Sequence, residues 1–256
     1  MSSLSDAAFG GTPNLWPLPA ASTPHELWLR AVAAGGQGRY GNAIADLDEL
    51  CRTQHRGPLA SLAHSTRASF LRQLGWHDRA RGWDGRALAL AGSDQEAGAD
   101  ALIGLAADAL GVGRLAASAV ALQRAGGLVS GSRLPVRLAW VSAELAMACG
   151  EGARAVGHAE RAVELAEALG SARHAVKSEV VRAAALCSAG ELDASREVAD
   201  AALQDTERLG IIPLRWALAC LLADIGSARH TAPEMLRIRN ECAATVRRRG
   251  GDLAER

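Results

Sequence analysis

The chain has 256 residues, more than one ordinary core organises, and 49% of them are hydrophobic but only 4% aromatic. Alanine and leucine must do most of the packing, so an all-α chain is expected. The 28 basic and 28 acidic residues cancel, which excludes the basic excess of a general nucleic-acid binder or of a protein held on an anionic membrane.

No apolar run is long enough to span a bilayer, and no basic stretch followed by an apolar core marks a signal peptide, so a cytoplasmic location is expected. The basic residues are nearly all arginine, with Lys177 the sole lysine. With the abundant alanine, this suggests the coding bias of a GC-rich bacterium. The five cysteines (Cys51, Cys149, Cys187, Cys220, Cys242) are scattered and form no Cys-x-x-Cys. They are expected to be reduced, mostly buried thiols.

Taken in order, residues 1–22 stand apart as a flexible or extended tail. They hold Gly10-Gly11, Pro13, Pro17 and Pro19, a single charge at Asp6, and no helical period. Phe9, Leu15, Trp16 and Leu18 could anchor this tail on its own first repeat or on another surface. Thr23-Pro24-His25-Glu26 then has the form of a capping box with a first-turn proline. It predicts a helix over Leu27–Ala34, followed by Tyr40–Cys51. Gly57-Pro58 opens Leu59–Leu74 and His77–Ala91, and a second capping box at Ser93–Glu96 opens Ala97–Leu110 and Leu115–Arg124. Pro135–Cys149, Ala153–Leu169, Ala172–Ala189 (capped by Ser171) and Leu192–Leu209 follow. Pro213 begins the next helix, and Thr231–Glu234 caps a last one, roughly Ala232–Arg249. Arg247-Arg248-Arg249 complements the dipole at its end. The helical domain thus spans 23–250, with 251–256 as a short tail.

A repeat unites these helices. Gly38, Gly75, Gly113, Gly150, Gly190 and Gly226 are spaced 37, 38, 37, 40 and 36 residues apart. Seven residues before them stand Ala31, Ala68, Ala106, Ala143, Ala183 and Ala219. Five after stand Ala43, Ala80, Ser118, Ala155, Ser195 and the exception Thr231; twelve after stand Leu50, Ala87, Ala125, Ala162 and Ala202. Side chains of this size, recurring at one register, allow two helix axes to approach closely. The period predicts stacked helix pairs.

The pattern resembles the tetratricopeptide repeat, most closely in Gly38-Arg39-Tyr40-Gly41-Asn42-Ala43-Ile44 and next in Gly75-Trp76-His77-Asp78-Arg79-Ala80. Its period is longer than the family's, and Leu115, Gly152 and Leu192 stand where the family has an aromatic residue. The resemblance implies a right-handed α-solenoid of about six antiparallel helix pairs, with a concave groove lined by the first helix of each pair.

No spacing suited to catalysis is present: there is no His-Glu-x-x-His, Gly-x-Ser-x-Gly or P-loop, and no catalytic, metal or cofactor-binding residue is expected. Trp28, Trp140 and Trp216 each stand ten residues before a repeat glycine, and the resemblance puts that slot on the groove wall. Polar residues on the same face are His25, Asp100, Arg137 and Lys177, thirteen before their glycines, Ser69 and Glu144, six before, and Arg72, three before. Arg137 and Lys177 are candidates to hold a carboxylate of a bound segment. Trp76 and Trp83 read as packing between repeats.

The expected function is a non-enzymatic adaptor that binds a segment of another protein in this groove. Trp28, Trp140 and Trp216 would be apolar anchors, and Arg72, Arg137 and Lys177 charge contacts. Two alternatives remain open. One is a regulatory sensor of a bacterial transcription or signalling system, closing around a small molecule or peptide. The other is a homo-oligomeric assembly module exposing Trp216, Leu221, Leu222 and Met235 at the end of the array.

Overall fold

The computed structural model describes residues 2–129, 131 and 133–254. The outermost positions of the two expected tails, 1 and 255–256, lie outside the described residues. Among those described, the chain is all-α, with thirteen helices and no strand. They are α1 (Ser3–Phe9), α2 (Pro24–Gly36), α3 (Tyr40–Thr53), α4 (Pro58–Gln73), α5 (His77–Ala91), α6 (Gln95–Gly111) and α7 (Leu115–Gly126). The rest are α8 (Arg133–Ala148), α9 (Gly152–Leu169), α10 (Ala172–Ser188), α11 (Leu192–Arg208), α12 (Ile212–Ile225) and α13 (Ala232–Arg248).

The helix ends follow local chemistry. At α2 the Thr23 hydroxyl accepts from the Glu26 N–H at 3.2 Å, but Glu26 reaches back to the Ser22 N–H (2.8 Å), one residue short of a reciprocal box. At α6 the cap is Asp94, not Ser93, with Asp94 Oδ1 accepting from the Ala97 N–H at 2.8 Å. Ser171 sits at the N-cap of α10 without capping it; its hydroxyl pairs instead with His174 Nδ1 at 2.9 Å.

The repeat glycines occupy the turns α2–α3, α4–α5, α6–α7, α8–α9, α10–α11 and α12–α13, all with positive φ between 73° and 92°. At the first five, the N–H after the glycine returns to the carbonyl four residues before it, as in Trp76 to Leu71 (2.8 Å) and Glu151 to Ala146 (2.9 Å). This left-handed cap satisfies carbonyls that would otherwise be orphaned, at a backbone angle an L side chain resists. The last turn departs from the rule. There the loop after Gly226 is held by the buried carboxylate of Asp200, which accepts from the Ser227 hydroxyl at 2.6 Å and the Ala228 N–H at 2.9 Å.

Packing is sequential, as a helical repeat requires. Each helix from α2 to α13 contacts the next, and each even-numbered helix also contacts the next even-numbered one, α2 to α4 through α10 to α12. The small residues form the contact. Ala31, Ala68, Ala106, Ala143, Ala183 and Ala219 are all 0% exposed, as are Ala43, Ala80, Ser118, Ala155 and Ser195. Ser195 shows how close the approach is, since its hydroxyl donates to the Ala183 carbonyl on the partner helix at 2.7 Å.

The end of α13 also meets the α2–α3 turn. Arg249 donates to the Gln37 carbonyl (2.7 Å), and the Gly41 N–H donates to the Arg249 carbonyl (2.9 Å). The segment beyond α13 then lies on α4–α5. The Ala254 N–H donates to the Leu74 carbonyl at 2.8 Å, and Trp76 Nε1 donates to the Asp252 carbonyl at 2.6 Å. Val246 of α13 belongs to the same apolar cluster as Leu27, Tyr40 and Phe70.

Three sequence expectations need correction. Residues 3–9 form a helix, capped by the Ser2 hydroxyl and buried through Leu4, Ala7 and Ala8; seven residues are too few to display a helical period in the sequence. Leu222 and Met235 are buried and Trp216 and Leu221 partly buried, because α13 covers α12. None of the five cysteines forms a disulfide, but only Cys242 is buried and Cys149 is exposed.

If the small residues set the helix approach, Ala143→Leu forces α8 and α9 apart. The expected loss is about 1–3 kcal/mol of unfolding free energy, read as a lower urea midpoint with unchanged far-UV circular dichroism before the transition.

Candidate functional site

The even-numbered helices turn one face inward, and their inner faces line a partly open cavity of about 400 Å³. Trp28 comes from α2, Ser69 and Arg72 from α4, Asp100 from α6, Arg137, Trp140 and Glu144 from α8, and Lys177 from α10. Eight of the nine residues singled out in the sequence therefore line one space. Trp216 is the exception. Helix α12 meets the cavity only at its start, through Pro213 and Leu214, while Trp216 packs on the α11–α13 cluster.

Part of the wall comes from the N-terminal segment. Phe9, at the end of α1, lines the cavity and stands 5.5 Å from the Trp28 ring and 6.1 Å from the His174 ring, centroid to centroid. His174 in turn stacks on Trp140 at 5.3 Å. The segment is fixed by backbone bonds rather than by apolar contact alone. Gln37 Nε2 donates to the carbonyls of Pro13 and Leu15, both at 2.9 Å, and the Ala172 N–H donates to the Gly10 carbonyl at 3.1 Å. Trp16 lies under the Arg39 guanidinium, 3.6 Å from ring centroid to carbon. The two inner tryptophans are tied to neighbouring helices: Trp28 Nε1 donates to Thr66 Oγ1 (2.9 Å), and Trp140 Nε1 to Ser178 Oγ (2.8 Å).

The charges expected to face a partner are engaged within the chain. Arg72 pairs with Asp84 and with Asp108, the latter at 2.9 Å. Arg137 pairs with Asp100, and Lys177 with Glu144 at 3.4 Å. Adjacent even-numbered helices carry their polar residues at the same register, so charges on the shared face meet each other first. Asp84 is fully buried, and α6 makes room for it with Gly104, where a Cβ would stand 2.2 Å from Asp84 Oδ2.

Electrostatics at this centre are dominated by desolvation. Burial pushes the Asp84 carboxyl up to about 7 against the pull of Arg72, and raises Asp108 as well. Two carboxylates around one guanidinium carry one negative charge too many for a dry site, so a proton shared between them relieves it. Burial lowers the basic groups on the opposite wall. Arg137 and Arg173 are each brought down to about 10, Arg133 is lowered, and His174 is held well below its ordinary value, with Arg173, Arg133 and Arg137 adding repulsion.

Arg133, Arg173, His174 and Phe9 are the site residues that motif reading missed. Arg133 and Arg173 both stand seventeen residues before their glycines, one helical turn ahead of the slot that holds Arg137 and Lys177. Extending the inner stripe by four residues would have found them. Phe9 lies outside the repeat and leaves no periodic signal.

Among the described residues no group of three or more His, Cys, Asp or Glu is placed to hold a metal ion, and no helix is long and apolar enough to cross a membrane. Compared with known proteins, the chain matches no family model and no curated protein.

Asp84 gives a measurable pH signature. Its folded pKa lies above its unfolded value of 3.8, so the stability tied to its protonated form is complete below about 4 and is lost as pH rises towards about 7. The depressed histidines act in the opposite sense, so the test is a difference. Asp84→Asn should gain stability relative to the parent as pH rises through that window, in paired urea titrations; a difference independent of pH would contradict the shared-proton arrangement.

Proposed function

We propose that this protein is a regulatory sensor module, a right-handed array of six antiparallel helix pairs of tetratricopeptide-like form that holds a small molecule at its centre. It would work by binding rather than by chemistry, in the cytoplasm of a bacterium with a GC-rich genome. The observation that carries this reading is the central cavity, lined by all six even-numbered helices and by Phe9. It combines aromatic surface with a few convergent polar groups, the usual composition of a small-molecule site. An extended partner segment would need an open groove, whereas here the two ends of the array are bonded to each other. A ligand touching several helices at once biases their relative positions, which is what a sensor requires.

A thermal-shift screen of pooled metabolites tests the proposal. A ligand present at a hundred times its Kd stabilises the native state by about 2.7 kcal/mol, a clear rise in melting temperature, and Trp140→Ala should diminish it. A screen in which every shift survives that substitution would count against the cavity.

A second reading, the adaptor that receives a segment of another protein, is favoured by the N-terminal segment itself. Residues 10–16 already run beside the cavity as an irregular stretch, its carbonyls held by Gln37 at the end of α2 and the Ala172 N–H at the start of α10, so a partner segment could take their place. On this reading, a synthetic peptide of residues 2–18 binds a variant lacking them and fails to bind the full chain, as measured by fluorescence anisotropy. Equal binding to both would leave only the sensor.

A further inference from the structure

The charges around the cavity do not balance locally. Arg72, Arg133, Arg137, Arg173 and Lys177 line it, against Asp100 and Glu144. Asp84 and Asp108 answer Arg72, and Glu144 answers Lys177. Asp100 is divided between Arg137 and Arg133, the second at 3.3 Å, with Glu96 giving Arg133 a more exposed contact at 3.1 Å. Arg173 is left over. Among the described residues it has no carboxylate within ion-pair distance, and its side chain meets Gly36 and the Phe9 ring, 5.7 Å from the guanidinium carbon.

Arg133 stands at the same 5.7 Å from that ring, so two guanidiniums flank Phe9. Like charges held close together repel, and an anion that reaches both removes the repulsion and gains charge-assisted hydrogen bonds. His174 adds no charge there, because burial keeps it neutral. Beside this basic end Trp28 and Trp140 line the cavity with apolar ring surface, next to the Phe9 and His174 rings that pack on them.

We infer that the cavity takes a small organic carboxylate, its anionic group held by Arg173 with Arg133 and its aromatic or aliphatic body lying against Trp28 and Trp140. This rests on the sensor reading and specifies its ligand. Phe9 sits at the junction, in contact with both arginines and with Trp28, so the N-terminal segment forms part of the site. An inorganic anion alone would gain the charge contacts and forgo the apolar ones.

The test is isothermal titration and tryptophan quenching on the full chain with three probes: 1-naphthoate, the neutral 1-naphthylmethanol and inorganic phosphate. Naphthoate should bind one to one, with naphthylmethanol and phosphate each weaker by about tenfold or more, the span expected for a charge-assisted hydrogen bond or a buried ring. Arg173→Met should weaken naphthoate about tenfold to a hundredfold and leave naphthylmethanol unchanged. Equal affinity for naphthoate and naphthylmethanol overturns the carboxylate assignment and leaves the cavity as a neutral apolar site. Phosphate binding as tightly as naphthoate overturns the organic body. Arg173→Met binding naphthoate like the parent overturns the role of Arg173. Absence of binding by all three probes at millimolar concentration overturns the inference and the sensor reading together. If Arg173→Met does not fold, Arg173→Lys retains a cation and should lose less affinity, and the comparison of probes on the parent protein decides the ligand class alone.

Discussion

The whole arrangement depends on side chains no larger than a methyl or hydroxymethyl group at the places where helices cross. A fully buried alanine leaves the axes close enough for backbone on one helix to receive a hydroxyl from the next, as at Ser195 and Ala183. Each such contact is weak, and stability comes from repeating it with every neighbour. The larger apolar side chains then fill the spaces between crossings. Leu47, Leu50, Ile103, Leu203 and Leu218 are fully buried in this way.

Close stacking has a second effect, on charge. Equivalent inner-face positions on successive helices are brought side by side, so an aspartate in one repeat meets an arginine in the next, as with Asp100 and Arg137. The chain uses this to place many ionised groups in a poorly solvated centre, where any imbalance is felt strongly. Helix geometry adjusts to it: Gly104 yields space to Asp84, and Gly111 to His77, whose Nδ1 would stand 2.1 Å from an added Cβ. The centre of the molecule therefore sets charged groups beside aromatic surface, while the crossings between helices are apolar.

Helix positions are legible in the sequence because three signals agree there: turn glycines, first-turn prolines and the small-residue register. The inner face is legible for the same reason. A fixed offset from the glycine fixes the direction of a side chain, and Trp28, Trp140, Arg72 and Lys177 follow from it. Trp216 shows where that logic ends, since α12 presents only its first turn to the centre. The partners of each charge are not legible. Whether Arg137 faces a ligand or Asp100 depends on how far one helix slides along the next, a sub-helical-turn distance that no repeat offset encodes. The N-terminal helix is hidden too, being too short to show a period.

Bonding between the two ends of the array restricts its length. An open stack of helix pairs tolerates gain or loss of a unit, because each unit touches only its neighbours. Here Arg249 must arrive at Gln37 and Ala254 at Leu74, so an inserted or deleted pair would leave both ends without their counterparts. The number of helix pairs is thereby coupled to the contact between the two ends, and one pair more would separate them.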